Sequence, residues 1–212
     1  MYFASKPDGM GYELSWYNTQ TRSSYKFNIA SGSTDAFPFY GIFAKNDFYF
    51  HANDGIHGSE VWKTSVGSTG AVLAADIMSG TGMSSEPRNF TNVNGTLYFT
   101  ANDGIHGVEL WRIKETGEIS MVKDIRPGYE SGLPKNLTNA YGTLYFTAND
   151  GIYGEELWKI NKEGDAEIVE DILAGSGSSG PSDLLSVHGS LYFTATNSGT
   201  LLGKLYKTTP SG

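Results

Sequence analysis

The 212-residue sequence contains no cysteine, which excludes disulfides, Cys-ligated zinc, iron–sulfur clusters and a cysteine nucleophile together. Basic residues are also few: 15 Lys and Arg stand against 23 Asp and Glu, leaving a net charge of −8. That acidic balance argues against a nucleic-acid groove or a polybasic membrane-surface patch. No apolar run approaches the length needed to cross a bilayer, so membrane insertion is not expected. The opening Met1-Tyr2-Phe3-Ala4-Ser5-Lys6-Pro7 lacks the charged-then-apolar pattern of a signal peptide, so an exported form would carry its leader outside these residues. No window sustains a helical period. What is plentiful is glycine (27 residues) and aromatic side chains, with 13 Tyr, 11 Phe and 4 Trp. A chain so rich in aromatics and turn formers has a packed core and many short elements.

Those residues recur in register. Thr96-Leu97-Tyr98-Phe99-Thr100-Ala101-Asn102-Asp103-Gly104-Ile105 returns unchanged from Thr143 to Ile152. Weaker copies start at Tyr2-Phe3, Phe48-Tyr49-Phe50 and Leu191-Tyr192-Phe193. Tyr2, Tyr49, Tyr98, Tyr145 and Tyr192 are spaced by 47, 49, 47 and 47 residues. Eleven residues after the first four stands Glu13, Glu60, Glu109 or Glu156, and Lys204 follows one place later in the last copy. Trp62, Trp111 and Trp158 come next, with Trp16 displaced by one position and Tyr206 substituting in the last copy.

Each copy reads as four short strands, A to D. Segment A (136–140 in one copy) ends in a two-residue turn, at Asn94-Gly95, Tyr141-Gly142 or His188-Gly189, and Asn-Gly is a strong type I′ hairpin signal. Segment B (143–148) is aromatic and β-branched. An Asn-Asp-Gly loop leads to segment C (156–160), and a further turn leads to segment D (166–172). Gly/Ser/Pro stretches at 80–87, 128–134 and 175–181 then cross to the next copy.

Tandem four-stranded units of this length are the building blocks of a β-propeller, in which no single unit can bury both of its faces. The expected fold is therefore all-β, a propeller of four-stranded antiparallel blades. The pattern supplies B, C and D first, three full sets, and finally A, B and C. That favours five blades with incomplete first and last copies over a four-bladed ring closed by strand exchange or a fragment of a longer array. A single domain over 1–212 is expected, with copies at 2–48, 49–97, 98–144, 145–191 and a partial one at 192–212.

Glu109-Leu110-Trp111 and Glu156-Leu157-Trp158, with Glu60-Val61-Trp62 one substitution away, carry a family resemblance. So do Leu97 to Gly107 ahead of the first of these, and Asp124-Ile125 with Gly128 beyond it. The chain resembles the ELWxxDGT repeat proteins, found mostly in large bacterial secreted or cell-surface polypeptides. The resemblance covers nearly the whole chain and is weakest in the first and last copies. The Asp-Gly-Thr of that motif is replaced by Val66-Gly67, Thr116-Gly117 and Glu163-Gly164. The resemblance implies an extracellular or cell-surface location and no particular activity.

The most polar repeated feature is the Asn-Asp-Gly loop with the position that follows it: Asp54 and His57, Asp103 and His106, Asp150 and Tyr153. A position that accepts either His or Tyr calls for a flat group with a polar tip, suited to packing or to a sugar face. Asp54, Asp103 and Asp150 with Glu60, Glu109 and Glu156 also form the one repeated oxygen set that calcium could use. The loop guarantees about three side-chain donors, however, against the six to eight that calcium takes. A turn in which Asp accepts backbone N–H groups is the preferred reading, with no cofactor other than that calcium alternative. The tryptophans are expected in the core. Lys63, Arg112, Lys159 and Lys207 are expected to pair with Asp76, Asp124 or Asp171. Gly175-Ser176-Gly177-Ser178-Ser179-Gly180 matches a dinucleotide fingerprint only in letters, because Pro181 and a strand follow it. The sequons at Asn89, Asn94 and Asn136 matter only in a eukaryotic secretory source.

No nucleophile elbow occurs, and the carboxylates recur once per copy, as structural residues do. The leading expectation is a non-enzymatic extracellular binding module that recognises a glycan or protein through its loops, with Asp54, His57, Asp103, His106, Asp150 and Tyr153 as ligand contacts. A structural or assembly subunit comes second, and a propeller-type hydrolase or lyase third.

Overall fold

The computed structural model describes residues 1–6, 9, 11–32, 34–197 and 203–208. Of the expected last copy, residues 198–202 and 209–212 lie outside the described residues. The described residues contain no helix and form five antiparallel sheets. The first holds β1 (Tyr2–Ser5), β2 (Glu13–Asn18) and β3 (Ser23–Phe27). The second holds β4 (Phe39–Ala44), β5 (Asp47–Asn53), β6 (Ser59–Ser65) and β7 (Val72–Ala75). Strands β8 (Arg88–Val93), β9 (Thr96–Asn102), β10 (Val108–Ile113) and β11 (Ile119–Lys123) make the third. The fourth comprises β12 (Lys135–Ala140), β13 (Thr143–Asn149), β14 (Glu155–Ile160) and β15 (Ala166–Glu170). The fifth comprises β16 (Ser182–Val187), β17 (Ser190–Ala195) and β18 (Lys204–Lys207). Every sheet is a meander in sequence order, with three, four, four, four and three strands, which is the strand count read from the repeats.

The chain divides into two compact units, Met1–Phe90 with Asn102–Gly104, and Thr91–Ala101 with Ile105–Gly212. In the first unit, Leu14 and Phe27 of the first sheet pack against Phe50, Ala52 and Trp62 of the second. In the second unit, Tyr98 and Leu110 of the third sheet meet Leu144, Phe146 and Trp158 of the fourth. The fourth sheet's other face puts Tyr145 and Leu157 against Leu191 and Phe193 of the fifth. Strand β13 explains why segment B is apolar without alternation. Leu144, Phe146 and Ala148 face one neighbour and Tyr145 the other, as the two-residue period of a strand demands. Phe50, Phe99 and Phe146 are at most 1% exposed, and each such side chain contributes about 1.5–3 kcal/mol of hydrophobic stabilisation. Trp62 and Trp158 are buried as expected, while Trp111 is half-buried.

The A–B turns at Asn94-Gly95, Tyr141-Gly142 and His188-Gly189 have positive φ at both residues, the type I′ geometry that matches strand twist. Two features were not legible beforehand. Strands β4, β12 and β16 each carry a register shift, with Tyr40, Asn136 and Asp183 at φ 56°, 57° and 54°. These are β-bulges, which bend a strand at a rim. Segment D also ends early, at Glu170 and not Ile172, because the Ile172 N–H leaves the ladder and donates to the Glu156 carboxylate at 3.3 Å.

Candidate binding loops

Between B and C, each repeat makes a loop whose shape is set by its own side chains. Asn53 Oδ1 accepts the Gly55 N–H at 2.7 Å, and Asn102 and Asn149 do the same for Gly104 and Gly151. Asp54 Oδ1 accepts the N–H groups of Ile56 and His57, both at 2.8 Å, while its Oδ2 lies 2.7 Å from His57 Nδ1. Asp150 Oδ1 accepts from Ile152 at 2.8 Å and Tyr153 at 2.9 Å. These are Asx turns, which compete with longer-range pairing by satisfying local donors. Burial pushes the Asp54 carboxyl up, but the His57 and Ile56 donors outweigh it and hold the group below its usual range. The bond to Asp54 raises the His57 imidazole above its usual range. Asp103 and His106 occupy the same places in the third repeat.

The loop tips present apolar side chains to water. Ile56, Ile105 and Ile152 are 59%, 66% and 64% exposed, and Tyr153 is 40% exposed. Nothing in an Asx turn requires isoleucine at that place, and an apolar residue left in solvent at the same point of three repeats is the feature the sequence reading passed over.

Glu60, Glu109 and Glu156 stand apart from the aspartates in function. All three are fully buried, as is Glu13. Glu60 accepts the N–H groups of Ile77 (3.0 Å), Met78 (3.4 Å) and Ser85 (2.9 Å), and the Ser85 hydroxyl at 2.6 Å. Glu156 takes the Ile172 and Ser179 N–H groups and the Ser179 hydroxyl. Glu109 receives Ile125 (3.1 Å), Arg126 (3.5 Å) and Gly132 (2.6 Å). Each carboxylate thus clasps the end of its own D strand to the segment that crosses to the next sheet. Those oxygens point at backbone donors, and among the described residues no three or more His, Asp or Glu side chains are grouped to hold a metal ion.

The crossover segments supply further residues that the sequence reading missed. Ser84, Ser131 and Ser178 hydroxyls accept the N–H groups of Ser59, Val108 and Glu155, each at 2.9 Å, and Asp35 does the same for Tyr12 at 2.8 Å. Beyond them, the carbonyls of Ala36, Gly132 and Ser179 accept the N–H groups of Asn53, Asn149 and Thr196 on the next repeat's B segment. The signal was present as a Ser two or three places before each crossover proline, at Ser84-Ser85-Glu86-Pro87 and Ser178-Ser179-Gly180-Pro181.

The expected pairs between segment C bases and the aspartates after segment D do not form. Lys63 pairs with Asp47 at 2.9 Å and Lys159 with Glu167 at 3.2 Å. The Arg112 guanidinium donates to Ser120 Oγ and to the Gly164 carbonyl. Asp124 and Asp171 are drawn instead into the crossovers, where they accept the Gly128 and Gly175 N–H groups.

Glu109 differs from Glu60 and Glu156 in lacking a hydroxyl donor, since Gly132 stands where Ser85 and Ser179 do. Burial, with the nearby Asp124 charge assisting, raises its carboxyl to about 7 against three backbone donors that lower it. An acid whose folded value lies above its unfolded one favours folding most when protonated. Its contribution is complete below pH 4.5 and is lost as pH rises towards 7. Thermal melts between those limits should show a decline with rising pH that Glu109→Gln makes shallower, the remainder coming from Glu13, Glu60 and Glu156, whose carboxyls burial also raises; parallel profiles for the two proteins would refute this assignment.

The sequence matches no family model and no curated protein. Solved structures do match. A prolyl endopeptidase is similar over 98% of this chain, at 14% identity and a TM-score of 0.58. A puromycin-hydrolysing peptidase from Mycobacterium tuberculosis is similar over 88%, at 12% identity and a TM-score of 0.51. A puromycin hydrolase is similar over 95%, at 10% identity and a TM-score of 0.50. The similar structures contain β-propellers. The fold is propeller-like. The chain spans 31%, 30% and 33% of those three chains, and at such identities the likeness concerns the fold alone.

Proposed function

We propose that this propeller-like chain is a non-enzymatic binding module, acting outside the cell or at its surface, that engages a protein partner through its B–C loops. The observation that carries the reading is the apolar tip. Ile56, Ile105 and Ile152 are more than half exposed, on turns held by their own Asn and Asp side chains. A rigid loop loses little conformational freedom on association, so the apolar area it buries counts almost fully towards affinity. Isolated exposed apolar residues are ordinary on protein surfaces; one recurring at a single structural position is the departure. His57, His106 and Tyr153 beside the tips supply the polar edge that interfaces combine with apolar centres. The extracellular placement rests on the family resemblance.

The test is crosslinking on intact source cells with the wild type and an Ile105→Asp/Ile152→Asp double variant. A crosslinked partner should be captured by the wild type and lost by the variant while the melting temperature is unchanged. Equal capture by both proteins, or capture by neither, overturns the assignment.

A further inference from the structure

At the end of the strands away from the B–C loops, the second unit contains a cleft of about 560 Å³ between its third and fourth sheets. That size lies within the range of small-ligand sites. Its floor is apolar, formed by the buried Val93, Leu144 and Ile160. Its walls carry amides and hydroxyls from Asn94, Thr96, Thr143 and Asn161. Two lysines and two glutamates line it, Lys159 and Lys162 with Glu163 and Glu167, so the charges balance. Lys159 and Asn161 both reach Glu167, each at 3.2 Å.

We infer that this cleft binds a neutral saccharide. The balanced charges, with Lys159 paired to Glu167, give no preference for an anion or a cation. An apolar floor under a wall of amides and hydroxyls matches a sugar ring, whose C–H face is apolar and whose edge carries both donors and acceptors. Lys159, Asn161 and Glu167 together present donor and acceptor atoms side by side, the arrangement that vicinal hydroxyls need. The walls are held in place before any ligand arrives. Arg112 Nη1 ties the third sheet to the Gly164 carbonyl at 2.7 Å, and Asn139 Nδ2 reaches the Asn92 carbonyl at 2.9 Å.

One repeat later, Tyr141 holds the turn position that Asn94 holds here, and the described residues of the fourth and fifth sheets line two separate spaces of about 320 and 70 Å³. The cleft is separate from the B–C loops, so this inference and the loop-surface reading stand or fall independently.

The test is an NMR titration of the isotope-labelled protein with maltotriose, cellotriose, laminaritriose and chitotriose at millimolar concentration, with glucuronate as a charged control. At least one trisaccharide should shift the amides of Gly142, Asn161 and Gly164 while glucuronate does not. Asn94→Tyr, which installs the residue of the next repeat, should weaken that binding at least tenfold, about 1.4 kcal/mol, while the amide spectrum away from the cleft stays that of the folded wild type. Shifts confined to the B–C loops, a response to glucuronate alone, no response to any trisaccharide, or undiminished binding by Asn94→Tyr each overturns the inference.

Discussion

Glu60→Ala should lower the melting temperature by about 6–20 °C, the largest loss expected from any single side chain of the repeat. The substitution strips the acceptor from the Ile77 and Met78 N–H groups and the Ser85 hydroxyl, and leaves the Ser85 N–H only the Ser59 carbonyl at 3.1 Å, in a place where the carboxylate is fully buried. Each buried donor left without a partner costs about 1–3 kcal/mol, and water entering the vacated volume recovers part of that. A net loss of about 3–5 kcal/mol is the expectation, in line with the removal of one partner from a buried charged network. For a chain of this length each kcal/mol moves the midpoint by about 2–4 °C. Glu60→Gln keeps one acceptor oxygen and should fall between the alanine variant and the wild type. Circular dichroism melts of the three proteins check the order. An alanine variant melting within a degree or two of the wild type would mean that the clasp is incidental to the fold.

Gly58→Ala is the second large effect, and it concerns backbone and not charge. Gly58 sits at φ +74°, and a Cβ built there would lie 1.9 Å from the Met83 carbonyl oxygen of the crossover. No rotamer relieves that approach, because the obstacle is main chain. The left-handed conformation alone costs a non-glycine residue about 1–2 kcal/mol, and displacing the crossover weakens the hydrogen bonds that Ser84 and Ser85 make. A loss of about 3 kcal/mol or more follows, read as a lower midpoint in urea. Gly55→Ala is the control. It shares the positive φ, but its Cβ would meet only a methyl group at 3.8 Å, so it should lose no more than the conformational cost. Equal losses at the two positions would show that crowding by the crossover contributes nothing.

Together these substitutions explain why the Asn-Asp-Gly-x-x-Gly spacing and the following Glu are retained from repeat to repeat. The first glycine turns the loop. The second lets the incoming crossover pass against it, as it also does at Gly154 beneath the Gly177 carbonyl. The glutamate then holds that crossover from below. The isoleucine between the two glycines joins this framework through its backbone, its N–H bonding Asp54 or Asp150, while its exposed side chain does not, which is why that side chain is the one we propose for recognition.

Much of this was determined by the sequence alone. The 47-residue period, the alternation of aromatic and β-branched segments and the paired turn residues are local properties of the chain, so they specify strand number, strand order and sheet count without reference to distant contacts. The burial of Trp62 and Trp158 follows from the same periodicity. Other outcomes depended on groups far apart in sequence. Glu60 lies 25 residues from Ser85, and its side chain reads the same on paper whether it binds calcium, faces solvent or clasps backbone amides. Lys63 could meet an acid on either neighbouring strand, and register selected Asp47. The early end of segment D, the bulges at Tyr40, Asn136 and Asp183, and the cleft beside Asn94 likewise arise only where separate segments compete for the same donors and the same space. Periodicity dictates what repeats, and tertiary packing decides which atoms of each repeat meet.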